Sequence, residues 1–187
     1  MGRDRFATRA ALLESAEQIL ATRGIGALGV NSLASAAGCD KVLIYRYFGG
    51  LDGVLAALGE ERQLWPRVAE SDEEGLADAV RAVLLEEWAA LAAGGLERES
   101  AAAEVGGAAN GLASAVARQR VESHERILEA LRASHRIPPY VDLPALLEVV
   151  SAALTMLALR SPATPEGWRR VEKMVGAILR AMLGAGD

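Results

Sequence analysis

The chain has 187 residues, a formal net charge of −5, and a composition that is 51% hydrophobic but only 4% aromatic. That length allows one large domain or a small domain attached to a larger one. A single cysteine excludes an intramolecular disulfide, and abundant Ala and Leu without period-two runs of β-branched and aromatic residues argue against a sheet protein and for an all-α fold.

In chain order, residues 1–5 carry Arg3 and Arg5 ahead of any helical pattern, either as a solvated terminus or as a basic arm. A first helix is predicted over 6–23, with Leu13, Ala16 and Leu20 on one stripe and Leu12 and Ile19 beside it. Gly24 stops it. The stretch Val30–Phe48 then reads as two short helices joined by a tight turn. Gly29 and Asn31 are both acceptable N-caps for the first of them. Leu33, Ala34 and Ala37 give that helix a small apolar face. Gly38 sits where the backbone can turn left-handed without a Cβ penalty. Asp40 can cap the second helix, predicted over about 41–48, where Ile44 and Phe48 form an i, i+4 apolar stripe. Small residues at the crossing and a second helix aimed outward make a helix-turn-helix pattern, whose second helix enters the DNA major groove.

The order Leu33-Ala34, Ala37-Gly38, Asp40-Lys41, Ile44-Tyr45 and Tyr47-Phe48 resembles the DNA-binding segment of the tetracycline-repressor-like (TetR) transcriptional regulators, over about residues 6–58. The resemblance implies a three-helix head, residues 1–50, on a helical ligand-binding and dimerisation body, residues 51–187. It makes Lys41, Val42, Leu43 and Arg46 groove-facing, with Tyr45 and Tyr47 near phosphates. Arg3 and Arg5 would grip the duplex as an arm, and Asn31 joins the DNA-facing set. Arg46 could bond a guanine edge or a phosphate, while Val42 and Leu43 could only pack on thymine methyls. One departure stands out: a lysine often follows the Phe in the family, and here the chain reads Gly49-Gly50-Leu51-Asp52. Few phosphate neutralisations, and so a modest salt dependence, are expected.

Charge is divided unevenly. Residues 1–48 hold six basic and four acidic groups, and the remainder 14 basic and 21 acidic. A basic head on an acidic body suits a protein that touches phosphate at one end.

A connecting helix is predicted from 51 to about 65, weakened by Gly53 and Gly59 unless these serve close packing. Ser71-Asp72-Glu73-Glu74 has capping-box spacing and opens a long helix to about Ala93. A short helix over 96–104 and a charged one over about 113–134 follow, and Pro138-Pro139 breaks the chain. Asp142 caps a helix to about Leu159. This apolar run carries Glu148 and falls short of the ~18 residues a membrane span needs, so no membrane partner is expected. Thr164-Pro165-Glu166 starts the last helix, which runs to about Leu183. The apolar faces of these two helices are wider than a monomer of this size needs. The resemblance implies that they pair with their copies in a four-helix homodimer interface through Leu147, Val150, Leu154, Val171, Met174, Val175, Ile178 and Met182.

The resemblance also implies a pocket for a small-molecule effector among the middle helices. Trp65, Leu84, Glu87, Trp88 and Asn110 are its candidate lining, with the aromatics as walls and the polar groups as anchors. No cofactor or metal is expected: His124 and His135 are eleven apart, Cys39 is remote, and no zinc spacing exists. Both histidines are expected at the surface, and Cys39 as a small buried hydrophobe whose pKa Asp40 raises. No catalytic constellation is found. The expected protein is a cytoplasmic, dimeric, ligand-responsive DNA-binding repressor acting on a double-stranded, pseudo-palindromic operator. The alternative is an all-α dimeric small-molecule carrier or interaction protein with a vestigial helix-turn-helix.

Overall fold

The computed structural model describes residues 2–67, 73–106, 111–160 and 164–183, with side chains from residue 5 onward. Among the described residues the secondary structure is helical throughout, without strands. The elements are α1 (Gly2–Arg23), a 3-10 turn (Ile25–Ala27), α2 (Val30–Ala36), α3 (Val42–Phe48), α4 (Leu51–Glu61), α5 (Leu76–Ala93), α6 (Leu96–Val105), α7 (Gly111–Ser134), α8 (Leu143–Arg160) and α9 (Pro165–Leu183). They form two compact units. One comprises Met1–Trp65 with Gly94–Gln119, and the other Pro66–Ala93 with Arg120–Asp187.

In the first unit α1 is the central element, packed against α2, α4 and α6. Its stripe is buried as the periodicity predicts: Leu12, Leu13, Ala16, Ile19 and Leu20 are all removed from solvent. Each large member contributes about 2 kcal/mol of transfer free energy. The helix begins at Gly2 rather than at Phe6, so Arg3 and Arg5 belong to its first turns and do not form an arm ahead of it. No Pro or Gly follows Gly2 there to stop the helix growing backward.

The connecting helix is shorter than predicted. It ends at Glu61, and Arg62 is extended at φ −121°, ψ 150°. Trp65 lies beyond it, fully buried. Pro66 has no N–H to extend the ladder to the Arg62 carbonyl, and Gln119 of α7 caps the end that is left. Its amide donates to Gly59 O at 2.9 Å and Arg62 O at 2.8 Å, and accepts from Leu64 N–H at 2.7 Å. Gly53 and Gly59 do serve close packing. A Cβ at Gly53 would collide with the Phe48 carbonyl, and one at Gly59 with the Ala115 methyl.

In the second unit α5 packs on both α8 and α9. Val80, Val83, Leu84, Trp88 and Leu91 of α5 are buried, and the Trp88 ring lies 5.1 Å from that of Trp168 on α9. The predicted caps at the last two helices are formed: Asp142 accepts from Ala145 N–H at 3.1 Å, and Thr164 from Gly167 N–H at 3.0 Å. Ser71 and Asp72 lie outside the described residues. Helix α8 runs one residue further than expected. With 18 residues and a mean hydropathy of 1.6 it is long and apolar enough to cross a membrane by length and composition, contrary to the expectation from sequence. Its Leu143, Leu146, Leu147 and Leu154 are buried within the chain instead.

Candidate nucleic-acid interface

The turn between α2 and α3 is built from local bonds. The Gly29 N–H donates to Ser32 Oγ at 2.9 Å, and that hydroxyl lies 2.9 Å from Ala27 O, which ties the entry of α2 to the preceding 3-10 turn. At the exit, Cys39 N–H donates to Ala34 O at 3.0 Å while Gly38 takes a left-handed φ of 62°. Asp40 then accepts from Val42 N–H at 2.8 Å, so its carboxylate opens α3 as expected. Leu33 of α2 and Ile44 of α3 are completely buried and hold the pair together.

This anchoring decides which side chains of α3 are left outside. Val42 is 60% exposed and Tyr45 56% exposed, with Lys41 and Arg46 also at the surface. These four are spaced three and four apart and form one row on the face opposite Ile44. Leu43, Tyr47 and Phe48 are half-buried at its flanks. Asn31 is exposed on α2.

Two arginines of α1 reach the aromatic end of α3. The Arg5 guanidinium lies 5.7 Å from the Tyr47 ring centre, and that of Arg9 5.3 Å from the Phe48 ring. Arg9 also pairs with Glu61 at 2.5 Å. Reading residues 1–5 as an arm concealed this device. Arg5 and Arg9 are a helical turn apart, and extending the helix to the N-terminus would have shown them on one stripe. The side chain of Arg3 lies outside the described residues. Cys39 is half-buried, and its thiol pKa is pushed up by burial and then by the Asp40 charge.

Of the candidate effector residues, Trp65 belongs to the first unit, Leu84, Glu87 and Trp88 to the second, and Asn110 lies outside the described residues. Glu87 is only 1% exposed. It bonds His124 Nε2 at 3.1 Å and accepts from Ser151 Oγ, so α5, α7 and α8 meet at one carboxylate. His124 is therefore not a surface residue, contrary to expectation. His135 is half-buried too, with its Nε2 3.0 Å from Glu73 O. The indole N–H of Trp88 and the hydroxyl of Thr155, one turn beyond Ser151, are buried without a hydrogen-bond partner among the described residues. Among those residues no group of three or more His, Cys, Asp or Glu is placed to hold a metal ion.

The candidate dimer residues split by exposure. Leu147, Val150, Leu154, Val171 and Val175 are buried inside the chain, whereas Met174, Ile178 and Met182 are exposed. The exposed three line an apolar groove of about 550 Å³ between α8 and α9, together with Tyr140, Val149 and Ala153. Val149 and Tyr140, at 67% and 74% exposure, are absent from the sequence-based set. On a helix that is apolar nearly all round, periodicity cannot tell the outward side from the inward.

Residues 12–58 match the family described as bacterial regulatory proteins, tetR family. Solved structures share the fold over nearly the whole length. A TetR transcriptional regulator from Agrobacterium tumefaciens is 22% identical with a TM-score of 0.65, covering 95% of this chain and 99% of its own. A putative TetR-family transcriptional regulator from Rhodococcus sp. is 20% identical with a TM-score of 0.62, covering 95% and 99%. The flavonoid-responsive regulator FrrA is 20% identical with a TM-score of 0.56, covering 97% of each chain. No protein with a curated description matches the sequence.

Proposed function

We propose, from the match of residues 12–58 to the tetR family of bacterial regulatory proteins and from the fold shared with solved regulators, that the chain is a dimeric, ligand-responsive, DNA-binding transcriptional repressor. The observation that carries the reading is the outward row of α3. Lys41, Val42, Tyr45 and Arg46 stand exposed on a helix whose other side is locked by the fully buried Ile44. A soluble core helix has little reason to present Val42 and Tyr45 to water, whereas a groove-reading helix needs such a mixed surface. Arg46 supplies the base or phosphate contact, Val42 and Leu43 the thymine-methyl contacts, and Lys41, Tyr45 and Tyr47 the backbone grip. Arg5, beside the Tyr47 ring, and Asn31, exposed on α2, add to this surface, and Arg3 is proposed to join them. Residues 1–50 act as the reading head, and residues 51–187 carry sensing and pairing.

Pairing through the α8–α9 groove is supported by three exposed large side chains on one face of α9: Met174, Ile178 and Met182. A twofold dimer is what a pseudo-palindromic operator requires. Sensing is supported by buried polar groups of the second unit: the Trp88 N–H and Thr155 hydroxyl, without a partner among the described residues, would each gain from a ligand atom. One regulator of the same fold is flavonoid-responsive, which is consistent with a small organic effector in the cytoplasm. The effector acts by binding one of two head arrangements more tightly than the other. Catalysis has no part in the proposal.

The carrier reading keeps one point in its favour: no basic residue occurs between Phe48 and Arg62, so α4 lacks a phosphate-gripping cation at its start. Selection of duplexes from a random DNA library, at low and physiological salt, separates the two. The regulator reading expects a pseudo-palindrome that Arg46→Ala no longer retains while the dimer stays intact. Retention of no sequence at either salt would instead favour the carrier.

A further inference from the structure

Helix α4 is held at both ends and along one side. At its N-terminal end Gly53 lies against the carbonyl of Phe48, the last residue of α3, and the two helix axes bend by 55° across Gly49-Gly50. At its C-terminal end, Glu61 pairs with Arg9 at 2.5 Å and the C-cap residue Arg62 with Glu17 at 2.6 Å, both ties to α1. These ion pairs are about one third exposed, and such pairs contribute little. Along its side, Val54, Leu55 and Leu58 are buried, and at its C-terminal end the Gln119 side chain adds a hydrogen-bonded tie.

The Gln119 carboxamide spends both its ends on one short segment. Its Nε2 donates to the carbonyls of Gly59 and Arg62 at 2.9 and 2.8 Å. Its Oε1 accepts from the Leu64 N–H at 2.7 Å, with the Trp65 N–H at 3.3 Å and the Gln63 amide at 3.4 Å. The Gly59 carbonyl would have received Gln63 N–H had α4 continued. A side chain that donates to two carbonyls and accepts from neighbouring N–H groups must be a primary amide: a carboxylate cannot donate, and an ammonium cannot accept. Pro66, four residues after Arg62, has no N–H for the Arg62 carbonyl, and Gln119, nearly sixty residues away, supplies the donor in its place. Helix α7, which carries Gln119, is also the helix that carries His124 to Glu87.

We propose that Gln119 is a positioning residue for DNA binding: its amide fixes the C-terminal end of α4 and thereby the setting of α3. The inference rests on the reading of α3 as the recognition helix. Gln119 touches no DNA and acts only through α4. Without it, the Gly59 and Arg62 carbonyls lose their donor, the end of α4 frays, and the close seat of Gly53 on Phe48 is no longer held from behind.

The test uses the full-length chain, the wild type beside Gln119→Leu and Gln119→Glu. Affinity for the selected operator is measured from pH 8 to pH 5, with melting temperature and backbone hydrogen exchange followed in parallel. Gln119→Leu is expected to bind roughly tenfold more weakly, as the loss of two modest hydrogen bonds implies. Gln119→Glu is equally weak at pH 8, where it can only accept. It recovers relative to wild type as the pH falls and the carboxyl regains a donor proton. A merely structural role would lower the melting temperature without producing that pH-dependent ratio. Exchange in Gln119→Leu should rise at 63–65 and spread through 51–61 into 42–48. Wild-type affinity in both variants, a pH-independent loss in Gln119→Glu, or exchange confined to 63–65 would each overturn the proposal. If the wild type selects no duplex, the regulator reading fails by itself, and the spread of exchange into α3 still decides whether Gln119 sets that helix.

Discussion

The helix-turn-helix and the unit containing α5, α8 and α9 treat their polar and apolar groups in opposite ways. In the first, every polar side chain that shapes the turn has an identified partner: Ser32 with Gly29 and Ala27, and Asp40 with Val42. Its exposed apolar groups, Val42 and Tyr45, are confined to one row. In the second, a carboxylate is buried at Glu87, the Trp88 N–H and Thr155 hydroxyl have no hydrogen-bond partner among the described residues, and large apolar side chains line an open groove. The first region is complete as it stands and holds one geometry. The second has requirements, polar inside and apolar outside, that the described residues leave unmet. That contrast is what the proposed function calls for: a head that reads DNA, joined to a body that takes up a ligand and a second copy.

The contrast breaks most visibly at the groove. Ile178→Glu places a charge where the proposal puts a partner's apolar surface, and burying an unpaired carboxylate there is prohibitive. The chain should become monomeric by light scattering, and operator affinity should fall by about two orders of magnitude or more, because each half-site is then bound alone. A variant that remains dimeric would remove α9 from the interface.

Next in size is the buried carboxylate. Glu87→Ala leaves His124 and Ser151 without their acceptor, and removing one partner of a buried pair costs about 3 kcal/mol. Denaturant unfolding should record that loss. Glu87→Gln keeps the shape and one acceptor and should cost less. If Glu87→Ala proved as stable as wild type, the cluster would have no structural part, and its burial would have to be explained by ligand binding alone.

The head should respond differently, with function lost and stability kept. Arg46 is exposed, so Arg46→Ala should leave the melting temperature nearly unchanged while weakening operator binding by ~1–3 kcal/mol and relaxing preference at one base pair. A large fall in melting temperature with unchanged DNA affinity would reverse the assignment of that face.

The smallest effect concerns Cys39. Its pKa is raised above the ordinary thiol value, first by burial and then by Asp40, so the folded protein disfavours the thiolate. The sign follows: this contribution to stability is fully present below the thiol's unfolded-state pKa and is lost as the pH rises through the folded one. Alkylation should therefore be slow at pH 7, well behind a free thiol, and should accelerate only in the alkaline range. Rapid labelling at neutral pH would indicate a reactive cysteine in the turn.

Much of the molecule was legible from local chemistry. Asp40, Asp142 and Thr164 announced helix starts because a side-chain acceptor two or three residues before an apolar run has one good use. Gly38 announced the turn, and the spacing of Ile44 against Val42 and Arg46 sorted the inner from the outer face of α3. These features depend on residues a few positions apart, and a linear text displays them directly. The same spacing rules assigned the stripe on α1.

What the sequence could not display depends on groups brought together from afar. Pro66 bars α4 from running on, but that Gln119 caps its last carbonyls is carried by no residue between 51 and 65. His124 is inside because Glu87 needs a partner from another helix. The outward side of α8 is set by where α5 and α9 pack, since its own composition is apolar on nearly every side. Periodicity determined which elements exist and which faces are apolar. Only the tertiary structure decided what caps a helix end, which buried charge finds a partner and which apolar face stays open, because burial and hydrogen-bond satisfaction belong to the packed chain and not to any segment of it.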